Sequence, residues 1–286
     1  MTSTDTIRPE VPQAPAAPPW LQQHLLIADP TDMLAEMFAA LRLGPGMTAL
    51  EEAGVIVSWH FLRKGERWRL RYQVPSDRHA DAATAAVTTL LRAGLATSAL
   101  TGWRPVIYEP ESRAFGGPAA MEVAHRHFHT DSRHTLTYLL SVHDGERADQ
   151  RKELALLLAT ALMRGAGLDW YEQGDVWATI ADHRTPATAP TPTLRNSARQ
   201  LISVDSGPGS RLMKGQLHYA ATWFEGHLAA GADLAALALE GRLTRGLRAV
   251  TAHLLLFHFN RLGLSANEQG LLAAAAAESI LNGEDR

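Results

Sequence analysis

Tyr108-Glu109-Pro110-Glu111-Ser112-Arg113-Ala114-Phe115-Gly116-Gly117 gathers a phenol, two carboxylates and a guanidinium into a short stretch that closes on paired glycines. Glycine allows backbone conformations closed to other residues and lets other groups approach closely, so the pair marks a tight turn. From Pro118 to Leu140 the chain reads as a helix, with Met121, Ala124 and Phe128 at three- and four-residue spacing as its inward stripe. Upstream, Trp103 to Tyr108 reads as a strand. The ionisable groups therefore sit where a strand hands over to a helix N-terminus. Charges in such a place either form a catalytic set or cap a solvated turn, and the residue types leave both open.

Working outward towards the N-terminus, Val55–Leu62 and Trp68–Val74 read as two strands of a hairpin around Arg63-Lys64-Gly65-Glu66-Arg67. A short strand at Leu25-Leu26-Ile27 precedes them, and Asp81–Leu95 is a helix. Asp29-Pro30-Thr31-Asp32 signals a helix start for Met33–Leu43, with Gly44-Pro45-Gly46 as its stop. Met1–Pro19 is rich in Pro, Ala and Thr, the composition of a flexible tail. Beyond Gly117 helices dominate: Pro118–Leu140, Asp149–Gly165, Asp169–Ala181, Gly209–Ala230, Leu234–Leu262 and Ala266–Leu281. His183–Thr193 and Ser206–Ser210 read as breaks. The fold class is α+β, with a small antiparallel sheet in the N-terminal half and a predominantly helical C-terminal half. Residues 20–286 are read as one catalytic domain after a tail at 1–19.

With 286 residues and 46% hydrophobic content, the chain can bury a sizeable core. A net charge of −3 argues against a general nucleic-acid or membrane-surface binder. No cysteine is present, which excludes disulfides, thiolate catalysis and Cys-ligated metal centres and fits a cytoplasmic protein. Neither a membrane-spanning run nor a secretory signal is apparent.

Three segments carry a family resemblance. The opening stretch resembles the Tyr-x-x-Glu-x-x-Arg-Tyr-Gly-Gly signature of the small lantibiotic-dehydratase-like, or thiopeptide-type bacteriocin biosynthesis, proteins. Phe61-Leu62-Arg63-Lys64 with Arg67-Trp68-Arg69-Leu70-Arg71 is similar to the family's Phe-Ile-Arg-Tyr and His-Leu-Arg-Leu-Arg. Phe257-His258-Phe259-Asn260-Arg261-Leu262-Gly263 resembles its Asn-Arg-Leu segment near the C-terminus. The three occur in family order over most of the chain.

The departures are as informative as the matches. Ala114 stands where glutamate-eliminating members carry arginine, Arg67 replaces their histidine, and the histidine four residues before Asn-Arg falls on Leu256. Elimination of a glutamyl ester needs cations for the leaving carboxylate and a base for the α-proton. The Arg-Lys and Trp-Arg-Leu-Arg version resembles the thiopeptide pyridine synthases. That resemblance implies a formal [4+2] aza-cycloaddition between two dehydroalanines of an azole-containing, ribosomally made precursor. The leader and a water molecule are then lost. It implies no metal or other cofactor. Its partners would be the leader-bearing precursor peptide and other enzymes of the same pathway, with no nucleic acid and no membrane.

On this reading Tyr108 and Glu111 are the leading acid–base pair, supported by Glu109, Asp131 and Ser132, with His258 as a further proton shuttle. Arg63, Arg69, Arg71, Arg113, Asn260 and Arg261 would bind substrate. Strand alternation places Arg67, Arg69 and Arg71 on one side and Trp68, Leu70 and Tyr72 on the other, which makes Trp68 a core residue. The bland counterparts stay open: an ion-paired strand face, a helix-side hydrogen bond for Asp131-Ser132, and a buried polar cluster at His258, Asn260 and Arg261. His125 and His129 share a helical face that permits metal binding, but no third ligand has recognisable spacing. Three other functions compete: a glutamate-elimination partner of a split dehydratase, an enzyme acting on a different azole peptide or a non-pyridine macrocycle, and a non-catalytic leader-binding module.

Overall fold

A computed structural model of the chain describes residues 18–29, 33–65 and 67–282. Most of the expected tail, the Pro30-Thr31-Asp32 part of the helix-start signal, and Glu66 lie outside the described residues. Four strands form one antiparallel sheet in the order β2-β3-β1-β4: β1 (Trp20–Ile27), β2 (Ser58–Lys64), β3 (Arg67–Gln73) and β4 (Leu100–Val106). Between the strands lie α1 (Met33–Phe38), α2 (Gly44–Glu52) and α3 (Ala80–Ala96). The second half contains α4 (Pro118–His143), α5 (Arg151–Gly165), α6 (Trp170–His183), α7 (Pro192–Ser203), α8 (Arg211–Lys214), α9 (Ala221–Leu239), α10 (Leu247–Leu262) and α11 (Ala266–Leu281). The α+β organisation therefore holds. No helix among the described residues is long and apolar enough to cross a membrane.

The sheet packs one face against the core. Leu25, Phe61, Trp68, Leu70 and Tyr72 form that layer, each at most 4% exposed, and the Tyr72 hydroxyl reaches Thr84 of α3 at 3.3 Å. Trp68 is core, stacked on Phe61 at 5.5 Å between ring centroids. β2 is an edge strand whose outward backbone groups would be orphaned without partners. Helix side chains supply them. His129 Nδ1 donates to the Trp59 carbonyl at 3.0 Å, Ser132 Oγ accepts from the Phe61 N–H at 3.2 Å, and Arg261 Nε donates to the Phe61 carbonyl at 2.9 Å. α4 and α10 are thereby fastened to the sheet. The opposite edge, β4, carries Pro105, which has no N–H to offer an incoming strand.

Three expectations are corrected. Gly44-Pro45-Gly46 does not stop the first helix: a π-helical segment, Ala39–Leu43, leads directly into α2. The Gly44 N–H bonds to the Ala39 carbonyl, a wider turn that accommodates the proline lacking its own donor. The glycines serve close packing instead, since a Cβ on Gly44 or Gly46 would collide with Leu136 or Leu90. Second, Pro192 starts α7 rather than extending the loop from His183. The Thr191 side chain caps the helix by accepting from the Leu194 N–H, and proline suits the first helical position. Third, the expected breaks between residues 209 and 262 move. α9 runs unbroken through Gly226 and Gly231, where a Cβ on Gly231 would strike the Leu162 carbonyl of α5 at 2.1 Å. The expected Gly209–Ala230 helix is instead interrupted after Lys214, and the next break comes after Leu239, where the chain turns at Gly241 with φ +68°.

Candidate active site

The turn at residues 108–117 is built as its composition implies. Gly116 and Gly117 have φ of +87° and +110°, in the region that favours glycine. Phe115, Gly116 and Gly117 N–H groups turn back onto the carbonyls of Glu111, Arg113 and Ser112. The segment between α9 and α10 clamps it from outside. The Thr244 N–H donates to the Gly116 carbonyl at 2.9 Å, and Arg245 Nη1 donates to the Ala114 carbonyl at 2.7 Å. Phe115, 1% exposed, drives its ring edge-on against Phe128 of α4 and Phe257 of α10.

Beside this turn lies a cleft of about 890 Å³. Glu111 and His253 line one end, Lys64 and Arg69 from the hairpin line a wall, and Leu256, Asn260 and Gln269 contribute from α10 and α11. Glu111 Oε2 and His253 Nε2 are 3.2 Å apart. The His253 hydrogen bond holds the Glu111 carboxyl below its ordinary range, outweighing the upward push of partial burial. The Asn260 side-chain carbonyl accepts from Gln269 Nε2 at 2.9 Å, and Gln269 in turn accepts from Arg184 at 3.0 Å. At the far end Arg63 and Arg151 converge on Glu36, and the Arg63 guanidinium also lies 4.5 Å over the Trp68 ring. Burial pushes the Glu36 carboxyl up, but the two guanidiniums outweigh it and hold it at about 2.

Tyr108 stands beside the cleft and faces a second, shallower hollow of about 410 Å³ with Trp20 and Gln22. Its hydroxyl is 2.8 Å from His125 Nε2. The buried Arg71 guanidinium lies 4.4 Å over its ring, while Arg71 Nε donates to Gln22 at 2.6 Å. Burial raises the Tyr108 hydroxyl to about 12 and lowers His125 to about 4, the latter helped by Arg71. Both are therefore neutral near pH 7. His60, fully buried, stacks on His125 at 5.9 Å and belongs to the same group.

Asp131, Ser132, His258 and Arg261 come together, but away from the cleft. Asp131, His258 and Arg261 are 0% exposed. The Asp131 carboxylate accepts from Trp223 Nε1 at 2.7 Å, from His258 Nδ1 at 2.9 Å and from the Arg261 guanidinium. Burial alone would raise its pKa, yet His258 and Arg261 reverse this and hold it well below the usual range. With Ser132 and Arg261 bonded to β2, this group ties sheet to helices. Asp131, His227 and His258 also offer ligand atoms within 4.8 Å of one another, close enough for a metal. The carboxylate, however, is already neutralised by Arg261, so a divalent ion would add uncompensated charge to a dry interior. His125 and His129 do not converge: one meets Tyr108, the other the Trp59 carbonyl and Glu51. Glu109 and Arg113 are exposed and outside the cleft lining.

Of the residues singled out from sequence, Glu111, Arg63, Arg69 and Asn260 thus share the cleft, and Tyr108 and Arg71 flank it. His253 had not been singled out. It lies three residues before Leu256 on the same helix, so the two share a face and line the same wall. Helical spacing from the position where eliminating relatives carry histidine is the signal that points to it.

Among solved structures, the chain is similar to the tRNA-dependent lantibiotic dehydratase MibB from Microbispora sp. 107891. The TM-score is 0.70 at 18% identity, covering 96% of this chain and 29% of that one, so it spans under a third of that enzyme's length. It is also similar to TsrL, with TM-score 0.61 and 16% identity over 92% of this chain and 95% of that one. A third likeness is to TbtD, a pyridine synthase from thiomuracin biosynthesis. It has TM-score 0.61 and 14% identity over 92% of this chain and 98% of that one. At these identities the likeness shows the shared fold. No curated protein sequence matches the chain. The sequence profile of the lantibiotic biosynthesis dehydratase C-terminal family matches residues 20–280, and the chain belongs to that family.

Proposed function

We propose that the protein is a pyridine synthase. It closes a six-membered nitrogen ring between two dehydroalanines of a leader-bearing, azole-containing ribosomal peptide. The observation that carries this reading is the Glu111–His253 pair at the head of a cleft of about 890 Å³ also lined by Arg69 and Asn260. That arrangement supplies proton transfer and carbonyl binding. Leu256 and Ala114 stand where a glutamate-eliminating site would place its histidine and arginine. The near full-length likeness to a pyridine synthase supports the same assignment.

The chemistry follows from the cleft. One dehydroalanine's amide must pass to its imidic-acid tautomer to act as a 2-azadiene. The Glu111 carboxylate accepts the amide proton, and an N–H of the His253 imidazole donates to the amide oxygen. Arg69 and the Asn260 amide hold neighbouring peptide carbonyls so that the second alkene meets the azadiene. Such positioning is worth on the order of 7–11 kcal/mol at best. Two carbon–carbon bonds form, one at each end of the azadiene, as its two π bonds and that of the second alkene are consumed; one π bond remains between the azadiene's Cα and nitrogen, giving a hydroxylated ring. Loss of water and then of the leader as a carboxamide leaves the aromatic pyridine, with no external oxidant required. Arg71 serves behind this pair by helping to lower the Glu111 pKa, and Tyr108 packs against Arg71.

The test is mass spectrometry of a bis-dehydroalanine azole precursor before and after incubation with the protein. Loss of water together with a released leader carboxamide is expected. Conversion of a glutamylated precursor to dehydroalanine, with no ring formed from the first substrate, would assign the chain to elimination instead. Leader binding without any change of mass would leave it a binding module.

A further inference from the structure

We propose that the open face of the sheet, where Lys64, Arg67, Arg69 and Arg104 surround His24, docks an extended acidic segment of the same peptide whose reacting part enters the cleft. The inference rests on the peptide-processing reading above and adds the chemistry of the segment that guides the substrate.

Strand register brings these groups together. His24 lies opposite Arg69 on one side and Arg104 on the other, and Lys64 lies opposite Arg67. Paired residues, and residues two apart along a strand, share a face, so all five point the same way. The other face is core. On this face the rung of His60, Arg71 and Gln22 is buried beneath Tyr108 and α4, whereas Lys64, Arg67 and Arg104 are exposed. No described strand residue on the open face is Asp or Glu. Among the described residues, Lys64, Arg67, Arg69 and Arg104 form no ion pair. Burial lowers the His24 pKa first, and the fields of Arg69, Arg104, Arg67 and Arg71 lower it further, so the positive charges converge on one spot.

Four cations on neighbouring strands, unpaired among the described residues, repel one another and await an anionic partner. His24, Lys64, Arg67 and Arg69 line a hollow of about 340 Å³, and Lys64 and Arg69 also line the cleft, so the two spaces adjoin. Arg67 and Arg69 lie two apart on one strand, about 6.5–7 Å. That is the repeat at which an extended peptide presents alternate side chains, and guanidinium–carboxylate pairs are strong when bidentate. A nucleic acid fits less well: the open part of the face carries no Trp, Tyr or Phe on which a base could stack.

The experiment titrates the full chain against a fluorescein-labelled eight-residue peptide of alternating Glu and Ser, and against its Lys–Ser counterpart, by anisotropy. The acidic peptide is expected to bind and the basic one not to. Raising NaCl from 50 to 300 mM should weaken binding at least tenfold, and the R67E/R104E variant should lose at least tenfold at low salt. Reversal of exposed charges on α8, R211E/K214E, should leave binding unchanged. Circular dichroism confirms that each variant is folded. Equal binding by R67E/R104E, or tighter binding of a duplex oligonucleotide lost in that variant, overturns the inference. Ring closure is read separately by mass. A protein that closes the ring yet ignores the acidic peptide refutes the docking face alone, and the converse refutes the catalytic assignment alone.

Discussion

Replacing Asp131 by Asn tests whether the buried cluster holds the fold or performs the chemistry. The carboxylate is fully buried and accepts from Trp223, His258 and Arg261. Asparagine keeps the shape but turns an amide group towards donors, and it strips Arg261 of its counter-charge. Arg261 is itself 0% exposed, so a guanidinium remains in the interior without a counter-charge, held by the Phe61 carbonyl and the face of the Phe128 ring. Breaking a buried pair in this way costs about 3–5 kcal/mol, a large share of the roughly 5–15 kcal/mol that holds a domain folded. Urea denaturation followed by circular dichroism at pH 7 should show the midpoint falling by roughly 1–2 M. Adding Arg261→Met removes the stranded charge. The double variant should then be less destabilised than the sum of the two single changes by more than about 1 kcal/mol. The folded carboxyl titrates well below its unfolded value. Its stabilisation is therefore complete above roughly pH 4 and is lost as pH falls through the depressed folded value, so the gap between D131N and the parent should narrow in acid. A D131N protein within about 1 kcal/mol of the parent, yet unable to close the ring, would refute this reasoning and make Asp131 a catalytic group.

Glu111→Gln removes the proton acceptor from a side chain that is 42% exposed; turnover in the mass assay should fall about 10²–10⁴-fold while the thermal midpoint barely moves. His253→Asn should slow the reaction comparably. Because His253 is the main cause of the depressed Glu111 pKa, the acid limb of the residual rate–pH profile should move to higher pH; an unmoved limb would separate the two residues. Glu36→Gln should destabilise by on the order of 3 kcal/mol near neutrality, from a carboxyl lowered from 4.5 to about 2. That difference is present above about pH 4.5 and should disappear as pH falls towards 2, as followed by urea titrations across pH.

The parts of the fold legible in the sequence are those whose signals are local. The β2–β3 hairpin, the Gly116-Gly117 turn and the capped helix α11 were readable because period, glycine placement and caps act within a few residues. Helix continuation through Gly44-Pro45 was not. It depends on Leu136 and Leu90 closing over the glycines from elsewhere in the chain, and a π-turn has no periodic signature. Pro192 misled for a related reason, since the same residue that breaks a helix interior begins one when Thr191 supplies the cap. Glu111, Arg69 and Asn260, which their motifs single out, line one cleft. The orientation of Tyr108 towards His125, across the Arg71 guanidinium, is a tertiary outcome that no spacing encodes.

α10 shows where such reading ends and why. Val250–Phe259 is almost entirely buried, and its apolar residues surround the axis, so no hydrophobic stripe tells which face meets the cleft. The polar residues settle it only when their partners are known. At 100° per residue His253 and His258 differ by 500°, which places them about 140° apart around the helix. If one faces the cleft, the other faces the interior. His253 meets Glu111 at the cleft and His258 meets Asp131 in the core. Asn260 lies seven residues beyond His253, close to two full turns, and accordingly returns to the cleft wall with it. Arg261, one step on, swings back to Asp131. The segment Phe257–Gly263 thus serves two duties through one helical phase: one side lines the proposed site, and the other locks α10 to the edge of the sheet that supplies Arg69.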